Sequence, residues 1–353
     1  MNPPPTIQPQ PTRPVTRPTK RWIWPRIFVY GFLGGFILLH VLAWFHGRAM
    51  SRYAIGDERT PPPEKLTLFG KVKVLLTGVN LPRPTNPTNP KDYGMDFITV
   101  RYKGAFGVDL EAWQIEHATN HGLVLMFHGH GSAKESMLPA AEVFFKNGWD
   151  CALVDFHGSG GSGTNLTSVG WHEATDVIES HRFFAHMYEN KPIVLYGVSM
   201  GSAAVLRAIH IESLHPDGVM LELPYDSLMS AARQRFRAMG LPSFPAAETL
   251  LFYGGMHGQF NAFAMNPAEF AKSVKCPTLL MNGEIDPRAP PKQAIAVFEN
   301  LGGEKIHKQF RGLGHRNFAR HDTKNWSATT LTFLESVLNA DSQARPARNA
   351  RTR

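Results

Sequence analysis

Short apolar segments recur along the chain after residue 122, and no other feature restricts the fold as strongly. Stretches with helical periodicity separate five of them, which read LVLMF, CALVDF, IVLYG, GVMLEL and TLLMNG. A strand with one solvated face alternates apolar and polar residues, whereas these segments are apolar on both faces. Such strands lie in parallel sheets that helices cover on both sides, so the sequence predicts an α/β fold with a mainly parallel sheet.

The segment in front of these strands has a different pattern. DFITVRY and VDLEAWQI alternate apolar and polar residues on either side of the turn sequence KGAFG, which predicts an antiparallel hairpin. Pro, Asn and Thr dominate residues 79–94, which are therefore expected to be irregular and extended. We place the globular domain at residues 95–339, after a linker and extended segment at residues 47–94.

A long apolar stretch precedes the linker. Residues 27–45 read IFVYGFLGGFILLHVLAWF and carry no formal charge, which is long enough for a helix to cross a bilayer core of about 30 Å. Trp22, Trp24 and Trp44 lie near its ends, as interfacial aromatic residues do. A cleaved signal peptide would have a shorter polar leader and a small-x-small site after the apolar part. The sequence thus predicts one transmembrane helix at residues 27–46 that is retained as a signal anchor.

Charge is concentrated at the two ends of the chain. The net charge of +8 at pH 7 is made up of +5 in residues 1–26 and +3 in residues 340–353. Both ends are polar, and both are predicted to be disordered. The body between them is formally neutral and offers no basic face of the kind that nucleic-acid binding requires. We therefore expect no nucleic-acid partner.

The basic residues around the apolar stretch also predict its orientation. Only lysine and arginine carry charge before the stretch, whereas basic and acidic residues are mixed after it, so the N-terminus is expected in the cytoplasm. The globular domain would then be periplasmic or otherwise extracytoplasmic. Gly31 and Gly35 form a GxxxG step, a pattern through which membrane helices pair, so a homo-oligomer stays open.

One of the apolar segments leads directly into a serine. The run IVLYGVSMG places Ser199 between Gly197 and Gly201, and the helical pattern MGSAAVLRAI follows. A strand-to-helix turn of the form G-x-S-x-G is sharp and strained, and it exposes the serine hydroxyl. The N-terminus of the following helix stabilises negative charge that develops there. Ser199 is therefore the candidate nucleophile.

Further motifs occur in a fixed order around this serine. They are FHGHG at 127–131, DFHGSGGSG at 155–163, LELPYDSL at 221–228, NGEIDPRAP at 282–290 and GLGH at 312–315. Together with GVSMG, they make residues 95–338 resemble the α/β-hydrolases, in particular the serine hydrolases of the BEM46-like and serine-aminopeptidase-like group. The resemblance implies an eight-stranded, mainly parallel sheet flanked by helices, with a small lid at about residues 225–266 after the sixth strand. The chain departs from the family at His157-Gly158, where relatives have Arg-Gly.

The resemblance also implies the partners of the serine. Ser199, Asp286 and His315 keep the family's order of nucleophile, acid and histidine. A serine hydroxyl is a poor nucleophile until an imidazole accepts its proton, and a carboxylate orients that imidazole. Two other carboxylates rival Asp286, since Glu284 lies just before it and Asp226 follows the preceding strand.

Two backbone amides are expected to stabilise the oxyanion of the tetrahedral intermediate, because its negative charge needs donors that are already in place. The residue after the nucleophile supplies one of them, which is the N–H of Met200. Alignment of HGHG with the family's His-Gly-x loop assigns the other to the N–H of His130. Neither role requires a particular side chain.

These residues together predict an enzyme. We expect a serine hydrolase that cleaves the carboxylic ester of a small-molecule acyl substrate without a cofactor, and the membrane helix favours lipid or lipophilic esters. Three alternatives stay open: an amide, peptide or thioester hydrolase of the same fold, a catalytically silent binding protein and a metal-dependent hydrolase. A metal would have the donors His128, His130, Asp155 and His157, whose spacing matches no standard site.

Overall fold

The computed structural model describes residues 23–61 and 65–351. The chain divides into two compact units, with the boundary between Leu39 and His40. Helix α1 (Ile23–Met50) is the first element and is longer than the predicted stretch at residues 27–46. Its apolar part has a mean hydropathy of 2.0 and is almost wholly exposed, and within the described residues it is the one helix that could cross a membrane by length and composition. The sequence predicts a disordered N-terminal tail at residues 1–26. Residues 1–22 lie outside the described residues, and residues 23–26 belong to α1.

One sheet forms the centre of the second unit. Its eight strands in the described part of the chain are β1 (Ile98–Lys103), β2 (Asp109–Ile115), β3 (Leu123–Phe127), β4 (Asp150–Asp155), β5 (Ile193–Val198), β6 (Gly218–Glu222), β7 (Thr278–Gly283) and β8 (Lys305–Phe310). They are ordered β1-β2-β4-β3-β5-β6-β7-β8. β2 is antiparallel to β1 and β4, and all other pairs are parallel. The expected mainly parallel sheet and its leading hairpin are confirmed.

Helices cover both faces of this sheet. They are α3 (Leu138–Lys146), α4 (Glu173–Ala185), α5 (Met200–Glu212), α9 (Pro291–Asn300), α10 (Phe318–His321) and α11 (Thr323–Arg351). Leu123, Leu125 and Phe127 of β3 pack into one core with α4, α5 and α9. Val124 and Met126, which point to the other face, pack into a second core with α3 and α11. The burial of both faces explains why the central strands β3 to β7 are mainly apolar.

The lid is an insertion between the sixth and seventh strands. Its helices are α6 (Leu228–Ala238), α7 (Ala246–Gly258) and the short α8 (Pro267–Phe270). Arg233 of α6 and Glu248 of α7 form a salt bridge at 2.6 Å, and Ala232, Ala247 and Leu251 belong to a small separate core. The position predicted for the lid, after the sixth strand, is confirmed.

The segment predicted to be a linker is more structured than the sequence indicated. Helix α2 (Leu68–Thr77) forms within residues 47–94, and the Thr67 hydroxyl caps it by accepting the Gly70 N–H. Earlier in the segment, Tyr53 is buried and its N–H donates to the Asn165 carbonyl at 2.7 Å. Residues 47–94 therefore contain a helix and tertiary contacts, because a cap and packing stabilise short elements that composition does not reveal.

The C-terminal end also differs from its prediction. Helix α11 continues to Arg351, so residues 340–351 are helical, whereas the sequence predicts a disordered tail from residue 340. Alanine, glutamine and arginine in this stretch favour helix. They also extend a helix that packing has already formed, and extension costs far less than nucleation.

A buried lysine contributes to the packing of the antiparallel edge. The Lys134 side chain is fully buried and its Nζ forms salt bridges with Asp155 and, at 2.8 Å, with Glu111. It also lies over the Trp113 ring, 4.5 Å from the centroid. The Asp155 carboxylate accepts further hydrogen bonds from the N–H groups of Lys134 and Gly161. Arg101 also pairs with Glu111, at 2.6 Å, so the two carboxylates have two cations only while Lys134 is present.

Replacing Lys134 by methionine should leave the buried Asp155 carboxylate without its cation, while Glu111 keeps Arg101. We expect Lys134→Met to lower the free energy of unfolding by about 3–5 kcal/mol, because a buried charge that loses its partner keeps its desolvation penalty. Urea unfolding of the detergent-solubilised protein measures the change. Lys146→Met is the matched control, since the exposed Lys146–Glu142 pair is worth less than about 1 kcal/mol. Equal, small changes in both variants would contradict the assignment.

Candidate active site

Ser199 occupies the turn between β5 and α5. Its backbone has φ 54° and ψ −109°, a combination that residues other than glycine rarely adopt. The flanking glycines are required by space: a Cβ on Gly197 would lie 2.5 Å from the Gly201 carbonyl carbon, and one on Gly201 would lie 2.3 Å from the Phe127 carbonyl oxygen. The G-x-S-x-G sequence therefore permits a turn that any side chain at its glycines would block.

Hydrogen bonds to neighbouring strands hold this turn in place. The Ser199 N–H donates to the Glu222 carbonyl at 2.7 Å, at the end of β6. The Ser202 hydroxyl donates to the Gly197 and Glu222 carbonyls at 2.7 and 2.9 Å. The backbone of the turn is thus held without using the Ser199 hydroxyl.

The structure brings Ser199, His315 and Asp286 into one hydrogen-bonded series. His315 Nε2 is 3.1 Å from Ser199 Oγ, and His315 Nδ1 is 2.7 Å from Asp286 Oδ2. The three residues follow β5, β7 and β8, whose carboxyl ends meet at one edge of the sheet. When Nδ1 carries the proton donated to the carboxylate, Nε2 is free to accept the serine proton.

Asp286 is held on its other side by the backbone. Its side chain is fully buried, and its Oδ1 accepts hydrogen bonds from the N–H groups of Arg288 at 2.7 Å and Ala289 at 3.0 Å. These bonds fix the orientation of the carboxylate. The Oδ2 atom is thereby aimed at the imidazole.

The two rival carboxylates have other partners. Asp226 accepts hydrogen bonds from the Ser227 N–H and the Ser230 hydroxyl at the start of α6. Glu284 accepts the Gly312 N–H at 2.8 Å. Of the three candidates, Asp286 is therefore the one that the structure places against the histidine.

The HGHG loop lies beside the serine. A Cβ on Gly129 would lie 3.5 Å from the Ser199 Cβ. His128 is buried and supports the loop, because its Nδ1 donates to the Gly129 carbonyl and its Nε2 accepts the Phe156 N–H. The amides of Met200 and His130, predicted to bind the oxyanion, thus belong to the two segments that border Ser199.

Two residues of the supposed linker hold this loop, and sequence reasoning missed both. The Tyr53 hydroxyl accepts the Gly131 N–H at 3.1 Å, and Arg59 donates to the Gly131 carbonyl at 2.9 Å. Tyr53 also packs against the His130 ring, with centroids 5.8 Å apart. The only local signal was one aromatic residue in a polar segment, which does not identify its partner.

The His130 imidazole is buried next to positive charge. Burial, assisted by the charges of Arg235 and Arg59, lowers the pKa of His130 to about 4, so the ring is neutral at pH 7. Its Nε2 is buried and has no hydrogen-bond partner among the described residues. The side chain therefore fills the loop as a neutral ring.

The four residues considered as metal donors are not assembled into one site. His157 Nδ1 pairs with Asp176, and Asp155 pairs with Lys134. His128 uses both ring nitrogens within its own loop and on Phe156. In residues 23–61 and 65–351, no group of three or more His, Cys, Asp or Glu side chains has an arrangement that could hold a metal ion.

A buried glutamate beneath the turn was not predicted. The Glu222 side chain accepts hydrogen bonds from the Tyr196 hydroxyl at 2.6 Å and the Trp326 indole at 3.0 Å. The Phe318 N–H donates to its other oxygen. Burial raises the pKa of Glu222 from 4.5 to about 7, although these donors act in the opposite direction. The backbone carbonyl of Glu222 accepts the Ser199 N–H. The buried carboxyl group therefore belongs to the residue that holds the backbone of the nucleophile.

The raised pKa of Glu222 predicts a pH-dependent stability. Between pH 4.5 and about 7 the folded protein binds more protons than the unfolded chain, so the free energy of unfolding falls as pH rises. We expect Glu222→Gln to remove a decline of the order of 3 kcal/mol between pH 5 and pH 8. Urea unfolding at the two pH values measures it, with Glu142→Gln on the exposed face of α3 as control. An unchanged decline in Glu222→Gln would contradict the prediction.

Comparison with known proteins finds relatives among hydrolases. Residues 118–238, about a third of the chain, match the family model described as serine aminopeptidase, S33. Protein bem46 of Schizosaccharomyces pombe is 22% identical over 226 residues, which are 62% of this chain and 71% of that protein. The lysophosphatidylserine lipase ABHD12 of Mus musculus is 23% identical over 197 residues, which are 54% of this chain and 48% of the mouse protein. The match thus spans about half the length of the mouse relative.

A solved structure shows the same fold over most of the second unit. An esterase from Pyrococcus furiosus superposes with a TM-score of 0.61 at 22% identity, covering 73% of this chain and 97% of the esterase. The chain therefore has the α/β-hydrolase fold and is similar to the serine aminopeptidase family and to the BEM46-like proteins.

Proposed function

We propose that this chain is a membrane-anchored serine hydrolase that cleaves carboxylic esters through an acyl-enzyme on Ser199. The observation that carries the proposal is the hydrogen-bonded series from Ser199 Oγ through His315 to Asp286, with distances of 3.1 and 2.7 Å. The names of two similar proteins, a lipase and an esterase, support an ester as the substrate class.

The first half-reaction transfers the acyl group to the enzyme. Ser199 Oγ attacks the ester carbonyl carbon while its proton passes to His315 Nε2. The tetrahedral intermediate then collapses, the bond to the leaving alcohol oxygen breaks, and His315 gives that oxygen the proton. Asp286 stabilises the imidazolium while the proton resides on it.

The second half-reaction releases the acid. His315 takes a proton from a water molecule, whose oxygen attacks the acyl carbon. The bond to Ser199 Oγ then breaks and the proton returns to that oxygen. The N–H groups of Met200 and His130 would donate to the carbonyl oxygen in both intermediates, where the N-terminus of α5 also favours negative charge.

An amide is the second candidate substrate, because the matching family model is that of a serine aminopeptidase. The same residues would act, except that His315 would protonate a leaving amine in place of an alcohol. A thioester would follow the ester route. Comparing ester, thioester and amide substrates with the same acyl group therefore distinguishes the three.

Helix α1 would anchor the enzyme in the membrane. Arg26 and Arg48 bracket its uncharged part, and the bias of basic residues places the N-terminus in the cytoplasm and the hydrolase domain outside it. An enzyme held there would meet lipid or lipophilic esters at high local concentration. The length of the acyl group that it accepts is thus the property to measure first.

Removing the nucleophile should abolish turnover. We expect Ser199→Ala to lower kcat on p-nitrophenyl esters, from acetate to palmitate, by roughly 10⁶-fold, because the acyl-enzyme cannot form. Ser327→Ala, on the surface of α11, should behave like the wild type. Equal activity in Ser199→Ala and the wild type would refute the serine mechanism. Failure of the wild type both to hydrolyse these esters and to react with a fluorophosphonate would instead support a silent binding protein.

The acid can be tested in the same way. Asp286→Asn should lower kcat by about 10⁴-fold, because the amide stabilises the wrong tautomer of the histidine and cannot support an imidazolium. Asp226→Asn and Glu284→Gln remove the two rival carboxylates and should change kcat little. A larger loss in either rival than in Asp286→Asn would reassign the acid.

A further inference from the structure

Helix α2 exposes its apolar face to solvent, whereas a helix that packs on a core buries that face. Leu68 and Phe69 are 80% and 79% exposed, and Leu76 is 63% exposed. Val72 and Leu75 complete the same face, and both are also exposed. The residue of α2 that is buried is Val74, on another side of the helix.

The five exposed residues form one continuous stripe. With residues about 100° apart around the helix axis, positions 68, 69, 72, 75 and 76 fall within an arc of about 120°. A stripe of this width normally faces a core or a partner. Exposed to water, it would carry a cost for each of its large apolar side chains.

The cations of α2 are placed at the margins of this stripe. On the same helical projection Lys71 lies at one edge and Lys73 at the other, and α2 contains no acidic residue. Amphipathic helices that lie on membranes have this arrangement, since lysine stems follow the apolar surface while their ammonium groups stay in the headgroup layer. The charge pattern therefore fits a lipid surface better than it fits the apolar face of a second protein copy.

Contacts place α2 beside the end of the membrane helix. His46 Nε2 donates to the Leu75 carbonyl at 2.9 Å, and Gly78, which ends α2, lies against Ala49. The 28 residues of α1 span about 42 Å at about 1.5 Å per residue, more than a bilayer core of about 30 Å. A core of this thickness takes up about 20 residues, so the C-terminal part of α1, from which His46 contacts α2, lies at the level of the membrane–water interface.

We propose that α2 lies in the surface of the membrane that α1 crosses, with its apolar stripe inserted among the lipid headgroups and upper acyl chains. The inference rests on the anchoring role proposed for α1. Helices of this kind insert to a depth of about 5–10 Å, which would bury the exposed residues of the stripe and leave Val74 on the protein. The occupant of the stripe is thus the bilayer.

This placement also brings the lid to the membrane. Helix α7 contacts the same end of α1, since Tyr253 bonds His40 at 2.9 Å and His257 packs on Trp44. On α7, Phe252 and Met256 are each about half exposed. A lid held in this position would open next to the lipid phase, which agrees with an amphiphilic ester as substrate.

The test measures contact between α2 and lipid directly. Environment-sensitive NBD labels are placed on single cysteines in the full-length chain, at Phe69→Cys and Leu76→Cys, with Cys276→Ser in the background because Cys151 is buried. Ile306→Cys on β8 is the matched control, since Ile306 is an exposed apolar residue far along the chain from α1. Leu33→Cys, in α1, reports membrane crossing itself. The protein is reconstituted in vesicles of phosphatidylcholine and phosphatidylglycerol in equal parts.

Two quenchers then separate the outcomes. We expect doxyl-labelled phosphatidylcholine to quench the labels at 33, 69 and 76 severalfold more than the label at 306, and aqueous iodide to show the opposite order. Iodide quenching at 69 and 76 as strong as at 306 would overturn the inference, and so would shielding from both quenchers, which indicates a second protein copy.

The result can be told apart from a failure of the proposed function. A label at 33 that is insensitive to doxyl lipid would show that the anchor itself is wrong and would overturn this inference with it. Fluorophosphonate reaction of Ser199 in the same vesicles reports the hydrolase chemistry separately. The quenching pattern does not depend on that reaction.

Discussion

The close approach of α5 to β3 is the contact on which the site depends. Gly201, in the first turn of α5, lies against the carbonyl oxygens of Phe127 and His128, at the end of β3. No residue with a Cβ permits this approach. Because the HGHG loop directly follows β3, the same approach that strains the Ser199 backbone also brings the loop beside it. One steric requirement therefore positions both segments whose amides are proposed to bind the oxyanion.

The parallel sheet brings the three side chains of the candidate site to one edge. Ser199 and His315 are separated by 116 residues along the chain, and His315 and Asp286 by 29. Each follows a different strand, yet parallel strands end at a common edge and deliver short loops to it. The two cores on either face hold the strands in register. The side chains at the edge consequently meet without a long or flexible connection.

The strands and the serine turn were predictable because their signals are local. A strand buried on both faces is apolar throughout, and G-x-S-x-G describes the space available within five residues. The choice of Asp286 over Asp226 and Glu284 was not local, since it depends on which carboxylate the fold aims at His315, and the family resemblance supplied it. The structure places Asp286 there, while its role and those of the amide donors stay predictions.

Other features could not be read from the sequence because their partners are distant. Glu222 is a single glutamate in an apolar strand, and the side chains that bond it come from residues 196 and 326. Helix α2 stands in the region predicted to be a linker, just before the stretch of Pro, Asn and Thr at residues 79–94. The apolar residues of α2 do not face the protein, so a periodicity expected for core-facing residues does not predict this helix. Both cases show tertiary context deciding what local composition leaves undetermined.

The hydrogen bonds of Tyr53 and Arg59 to Gly131 show that residues before the sheet help to position the loop beside Ser199. The βα pattern starts near residue 95, but these two side chains, which lie between α1 and β1, hold the loop beside Ser199. The segment that follows α1 is therefore part of the structure that positions this loop. A fragment that begins at β1 would lack both side chains, so removing the segment before the sheet would also loosen the loop next to the serine.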